Sequence, residues 1–162
     1  VYVERVTRDD LVMTSINVPP IAGISHVDLS VTDLAASEEW YRNLLGMSPL
    51  FGGRNDERRY DVRYLIEPRS GVVIGLEQHD ANPGTEFDER RVGLDHLSFA
   101  VEDRAALDVW LARLDELGVP HSGITEEEFW DVLVLRDPDN IQLEFIFVKP
   151  AAAQFLTEPP PT

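Results

Sequence analysis

Val27, Leu29 and Val31 alternate with His26, Asp28 and Ser30, and residues 24–32 carry the two-residue period of a half-buried strand. The period then changes. Asp33 occupies the place of a helix N-cap, and Trp40, Tyr41, Leu44 and Leu45 follow at helical spacing until Gly46 ends the segment. Residues 60–67 alternate aromatic or aliphatic with charged side chains, and 71–79 follow after a turn, so both read as strands. A short strand after Gly46 completes the order strand, helix, strand, strand, strand.

That order occurs twice. Gly23, His26, Val31 and Asp33 recur as Gly93, His96, Val101 and Asp103, at a constant offset of 70 residues. Ala35, Ala36, Trp40 and Leu44 match Ala105, Ala106, Trp110 and Leu114 in the same register, and each half then reaches a Leu-Gly pair, Leu45-Gly46 and Leu117-Gly118. Late in each half a second echo sets Ile74-Gly75-Leu76-Glu77 against Ile141-Gln142-Leu143-Glu144. Residues 129–135 and 141–148 read as the closing strands of the second half, joined by the turn Asp137-Pro138-Asp139-Asn140. The expected architecture is α+β, two tandem βαβββ modules at 23–80 and 92–148 with a polar connector at 81–91. Residues 1–22 and 149–162 are expected to be an arm and a tail outside the repeat.

Composition removes several function classes. At 162 residues the chain suits one domain with a real core. Its 14 basic and 30 acidic residues give a net charge of −16, which argues against nucleic acid and against anionic lipid as partners. With no cysteine, neither a disulfide nor a thiolate metal site can form. No apolar run reaches the length of a membrane span, and residues 1–10 are too charged for a secretory signal, so a cytoplasmic protein is expected.

Strand periodicity separates two faces. Val27, Leu29 and Val31 form the face that a helix can cover, and His26 lies opposite; Leu97, Phe99 and Val101 oppose His96 in the same way. Val72, Ile74 and Leu76 leave Glu77 and His79 pointing away from the core, and Leu143, Phe145 and Phe147 leave Glu144 doing the same. That face is either solvent or a cavity. Two imidazoles and two carboxylates at equivalent places in both copies suit a divalent transition metal, and four protein donors leave room for substrate on a six-coordinate ion. Asp28 and His79 share the face as weaker substrate-binding candidates. Arg59 and Arg63 form a possible clamp for an anionic substrate, and one of Phe129 and Trp130 faces the pocket.

The paired strand-His-helix segments, the Asp-Pro-Asp-Asn turn and the Ile-Gln-Leu-Glu ending resemble the vicinal-oxygen-chelate superfamily of glyoxalases, bleomycin-resistance proteins and dioxygenases, over about residues 23–148. The resemblance implies a curled, half-barrel-like mixed sheet around one divalent ion (Zn, Ni, Fe, Co or Mn), with His26, Glu77, His96 and Glu144 as ligands. It implies a homodimer whose sites lie within a chain or across two. A four-ligand His/Glu/His/Glu set looks most like bacterial glyoxalase I, whereas extradiol dioxygenases and thiol-transferring resistance enzymes typically use two His and one Glu. Ser30 stands where glyoxalase I enzymes usually carry an Arg that engages glutathione, so the resemblance supports the metal better than that substrate. The expected function is a metal-dependent lyase or isomerase, less readily a dioxygenase, acting on a small molecule with vicinal oxygens. Glu144 is the expected base, and Glu77 its mirror. The alternative is a metal-free binding protein of the bleomycin-resistance type, to which the negative charge is suited.

Overall fold

Each module begins with a strand that leads into a capped helix. A computed structural model describes residues 19–152; the expected tail beyond 152 and all but the last few residues of the expected arm lie outside it. The first module comprises β1 (Val27–Ser30), α1 (Leu34–Leu45), β2 (Ser48–Asn55), β3 (Tyr60–Ile66) and β4 (Val73–His79). The second comprises β5 (His96–Ala100), α2 (Arg104–Leu117), β6 (His121–Glu126), β7 (Trp130–Arg136) and β8 (Gln142–Val148). Asp33 accepts hydrogen bonds from the backbone N–H groups of Ala35 and Ala36, and Asp103 from that of Ala106, so both caps satisfy donors that the helix leaves free. Gly46 and Gly118 close the helices at φ 67° and 64°, a left-handed conformation that a side chain would strain.

The strands form two four-stranded mixed sheets of identical topology, β1-β4-β3-β2 and β5-β8-β7-β6. In each, the first and last strands of the module pair in parallel and the others antiparallel. Neither sheet closes into a barrel, and β1 and β5 belong to different sheets. Strand β1 is shorter than its alternating pattern predicts. Its parallel partner starts only at Val73, level with His26, so residues 24 and 25 have no ladder to join and Ile24 is 88% exposed.

One hydrophobic core spans both modules. Leu29, Val31, Ile74 and Leu76 meet Tyr41 and Leu44 of α1, while Leu133, Leu143 and Phe145 meet Leu107 and Leu114 of α2. Trp110 stacks on Phe145 with ring centroids 4.1 Å apart. Polar contacts fasten the modules together. The Arg113 guanidinium of α2 donates to the carbonyls of Asn43 and Leu44 at the C-terminal end of α1, where partial negative charge gathers. The turn between β7 and β8 buries Asp137 and Asp139; Asp137 accepts from the Tyr41 hydroxyl, and Asp139 from the backbone and hydroxyl of Thr32. The helices and this turn therefore occupy the middle, and the helix-free face of each sheet is left open. No helix among the described residues is long and apolar enough to cross a membrane.

Candidate metal centre

Residues paired in register point to the same side of a sheet. On the open face of the second sheet, Ser98, Glu144 and Val134 stand in one row, with His96 two residues before Ser98. The Nε2 atom of His96 lies 3.5 Å from Oε2 of Glu144. Its Nδ1 atom lies 2.6 Å from a carboxylate oxygen of Asp95, the kind of partner that fixes the orientation of a metal-binding imidazole. Glu144 is itself held. The Gln142 amide donates to its Oε1 at 3.1 Å, the Gln142 carbonyl accepts from Arg136 at 2.9 Å, and Arg136 forms a bidentate pair with Glu89 in the connector. This chain of holders is not visible in the sequence pattern, since it joins four residues of three separate segments. Its only local signal is that Gln142 precedes Glu144 by two residues and so shares its face.

The first module builds its half differently. Parallel pairing sets Val27 beside Ile74, as it sets Leu97 beside Leu143. Counted from there, the place of Glu144 is taken by Gly75, which stands beside Asp28. Glu77 stands beside Ser30, four residues after His26, which is about 13 Å along the strand; His96 and Glu144 are separated by about 7 Å in that direction. The echo between Ile-Gly-Leu-Glu and Ile-Gln-Leu-Glu is thus two residues out of structural register, and Glu77 is not the counterpart of Glu144. Its carboxylate lies 3.4 Å from Nε2 of His79 instead. His26 has its Nδ1 on the Ser25 hydroxyl at 3.1 Å and its Nε2 3.6 Å from Oδ2 of Asp28. The Tyr64 hydroxyl donates to the same Oδ2 at 3.4 Å, and Tyr64 meets the His26 ring edge-on and stacks on Phe51. Burial and the Asp28 carboxylate raise the Tyr64 phenol above its ordinary pKa, keeping it a donor.

Of the weaker candidates, His79 and Trp130 lie on the open faces, with Trp130 beside Val148 at the far end of its sheet. Arg63 does not. It shares the inward face with Leu65 and Leu76, and its guanidinium lies 3.4 Å from Glu38 of α1. Arg59 sits in the β3 turn and pairs with Asp80. The anionic clamp expected from these two arginines is therefore absent. Nor do the ligand candidates converge within one chain: among the described residues, no three His, Asp or Glu side chains are gathered to hold a metal. Each module presents a His–carboxylate pair on its own sheet.

The profile of the Glyoxalase/Bleomycin resistance protein/Dioxygenase superfamily matches residues 23–145, most of the chain and both modules. The chain belongs to that superfamily. A solved structure of a glyoxylase/bleomycin resistance protein/dioxygenase domain from Frankia sp. EAN1pec is similar at 39% identity and a TM-score of 0.75, covering 81% of this chain and 95% of that one. A probable lactoylglutathione lyase of Vibrio cholerae serotype O1 is 29% identical over 80% of this chain and 94% of its own length. A trivalent organoarsenical cleaving enzyme of Bacillus sp. strain MD1 is 25% identical over 84% of this chain and 80% of its own. The donor types fit a divalent ion. Both imidazoles turn Nε2 toward a carboxylate, Glu144 is oriented by a neighbour's amide, and the side chains lie on a face free of helices.

Proposed function

We propose that this protein is a metal-dependent enzyme acting on a small molecule with two neighbouring oxygens, and that His26, His96 and Glu144 hold its divalent ion. The observation that carries the reading is the His96–Glu144 pair, Nε2 and Oε2 3.5 Å apart, repeated by a His–carboxylate pair on the open face of the other sheet. Two imidazoles and one carboxylate leave several positions on an ion open to a chelating substrate. A divalent ion there would supply electrostatic stabilisation of the negative charge that develops on the substrate oxygens.

The protein's own groups account for the rest. Glu144 takes the proton from the substrate carbon beside the oxygens, while Gln142, itself held by Arg136, keeps its other oxygen in place. Tyr64 and Phe51 supply an aromatic wall beside His26. Ser30 offers no cation for a glutathione carboxylate, which favours a substrate other than a glutathione adduct. The two curated relatives are named as a probable lactoylglutathione lyase and an organoarsenical cleaving enzyme, which supports catalysis over sequestration.

The site is shared between two copies of the chain. The helices and the Asp-Pro-Asp-Asn turn bind the two modules through their middles, and among the described residues the two His–carboxylate pairs do not gather within one chain, which supports a site completed by a second copy. Large apolar side chains stand uncovered on those faces, Phe51 at 62% and Trp130 at 38% exposure. A two-fold dimer lays the first module of one copy against the second module of the other and brings His26 to His96 and Glu144. Metal analysis of the full chain, loaded in turn with Mn, Fe, Co, Ni and Zn, tests the reading. About one ion per chain is expected. A protein that takes up none of them, and instead binds a cationic drug, belongs with the sequestering members of the superfamily.

A further inference from the structure

The two modules carry complementary residues at one pair of facing positions. In the second, Ser98 stands beside Glu144; in the first, Asp28 stands beside Gly75. Each pair has one acidic and one small residue, with the strands exchanged. The exchange has a steric counterpart. A Cβ placed on Gly75 would lie 2.0 Å from Oδ1 of Asp28 and 3.0 Å from its Cγ, so the Asp28 carboxylate fills the volume that a side chain at position 75 would occupy. Any residue but glycine there would expel it. The carboxylate also reaches the matching place with respect to its histidine: Oδ2 of Asp28 is 3.6 Å from Nε2 of His26, and Oε2 of Glu144 is 3.5 Å from Nε2 of His96.

We propose that Asp28 is the first module's carboxylate ligand, reaching from β1 over Gly75 to the position that a β4 side chain would otherwise fill. The proposal rests on the metal-dependent reading above and deepens it: the ion has a His–carboxylate pair from each module, His26 with Asp28 and His96 with Glu144. Aspartate is one methylene shorter than glutamate, and its origin two residues after His26 on the same strand compensates for the lost reach. Tyr64 donates to the oxygen that faces His26, which fixes the carboxylate's rotation as Gln142 fixes that of Glu144. Glu77, one alternation further along β4 and paired with His79, has no part in this ligand set.

Cobalt(II) binding to the full chain provides the test, read by visible absorption of the bound ion and by competition with a chelator. Asp28→Asn, which keeps the shape and removes the charge, is expected to weaken Co(II) binding by about a hundredfold and to change the spectrum. Asp28→Ser/Gly75→Glu, which gives the first module the second module's arrangement, is expected to recover binding to within about tenfold of wild type. Glu77→Gln is expected to bind as wild type does. Should the double variant not fold, Asp28→Glu serves in its place, because it retains a carboxylate and is expected to bind within the same range. Undiminished binding by Asp28→Asn, or a loss in Glu77→Gln as large as in Asp28→Asn, overturns the proposal. So does a folded double variant that fails to recover. His26→Ala and His96→Ala separate this from the underlying reading: if both bind Co(II) as wild type does, the metal site itself is misassigned.

Discussion

The Tyr41 hydroxyl donates to Oδ2 of Asp137 at 3.0 Å, tying the helix of the first module to the turn between the last two strands of the second. Burial, more than any neighbour, raises the Asp137 carboxyl from its ordinary 3.8 to about 6, and it pushes Tyr41 well above its usual range. The native protein therefore retains a proton on Asp137 that the unfolded chain releases above about pH 4. This contribution to stability is complete below pH 3.8 and is lost as pH rises through about 6, a difference worth about 3 kcal/mol. Asp137→Asn, which keeps the shape without the ionisation, is expected to flatten that fall. Urea midpoints of both proteins between pH 4 and 7 measure it, and parallel curves would count against the assignment. Tyr41→Phe should cost about 1–3 kcal/mol at neutral pH, because a buried carboxyl oxygen loses its donor.

Shared sites have an arithmetic signature. His26→Ala and His96→Ala should each retain little metal. When equal amounts are mixed and allowed to exchange subunits, half of the dimers become hybrids and each hybrid contains one complete site. The mixture should then bind about a quarter of the wild-type complement. Metal content after exchange, with light scattering to establish the dimer, decides the point. No recovery after verified exchange means that each site is built within one chain.

Glu144→Gln is expected to lower turnover by about a hundredfold or more while costing far less in substrate affinity, since an amide oxygen still occupies the site but takes no proton at neutral pH. Steady-state kinetics on whichever vicinal dioxygen substrate a screen of 2-oxoaldehydes, thioesters and catechols returns will show the split. Near-wild-type turnover would remove Glu144 from the role of base.

The helix caps should act on stability alone. Asp33→Ala and Asp103→Ala each remove a carboxylate that satisfies free N–H groups at a helix start, and each should cost about 1 kcal/mol. Thermal unfolding measures the loss, and metal uptake by the folded variants should match wild type. A fall in metal content would mean that helix position feeds into the site.

Most of the local structure follows from the sequence alone. The 70-residue repeat, the capping aspartates, the terminating glycines and the βαβββ order of each module all depend on residues near one another in the chain, and the structure contains them. Facing was legible as well, because side chains alternate along a strand: His26, His96, Glu144, Glu77 and His79 do lie on the helix-free side. The same alternation, counted from Leu65, turns Arg63 inward to Glu38, whereas Arg59 lies in the turn before β3, so the two arginines do not share a face. Register was another matter. A slip of two residues leaves every side chain on the same face, so periodicity cannot distinguish Gly75 from Glu77 as the counterpart of Glu144. Only the ladder between β1 and β4 decides it, and that ladder joins segments more than forty residues apart. The turn Asp137-Pro138-Asp139-Asn140 is the second case. Its turn conformation is local and was legible, but its acceptance of hydrogen bonds from Tyr41 and Thr32 is not, because those partners lie about a hundred residues earlier and meet it only when the two modules pack.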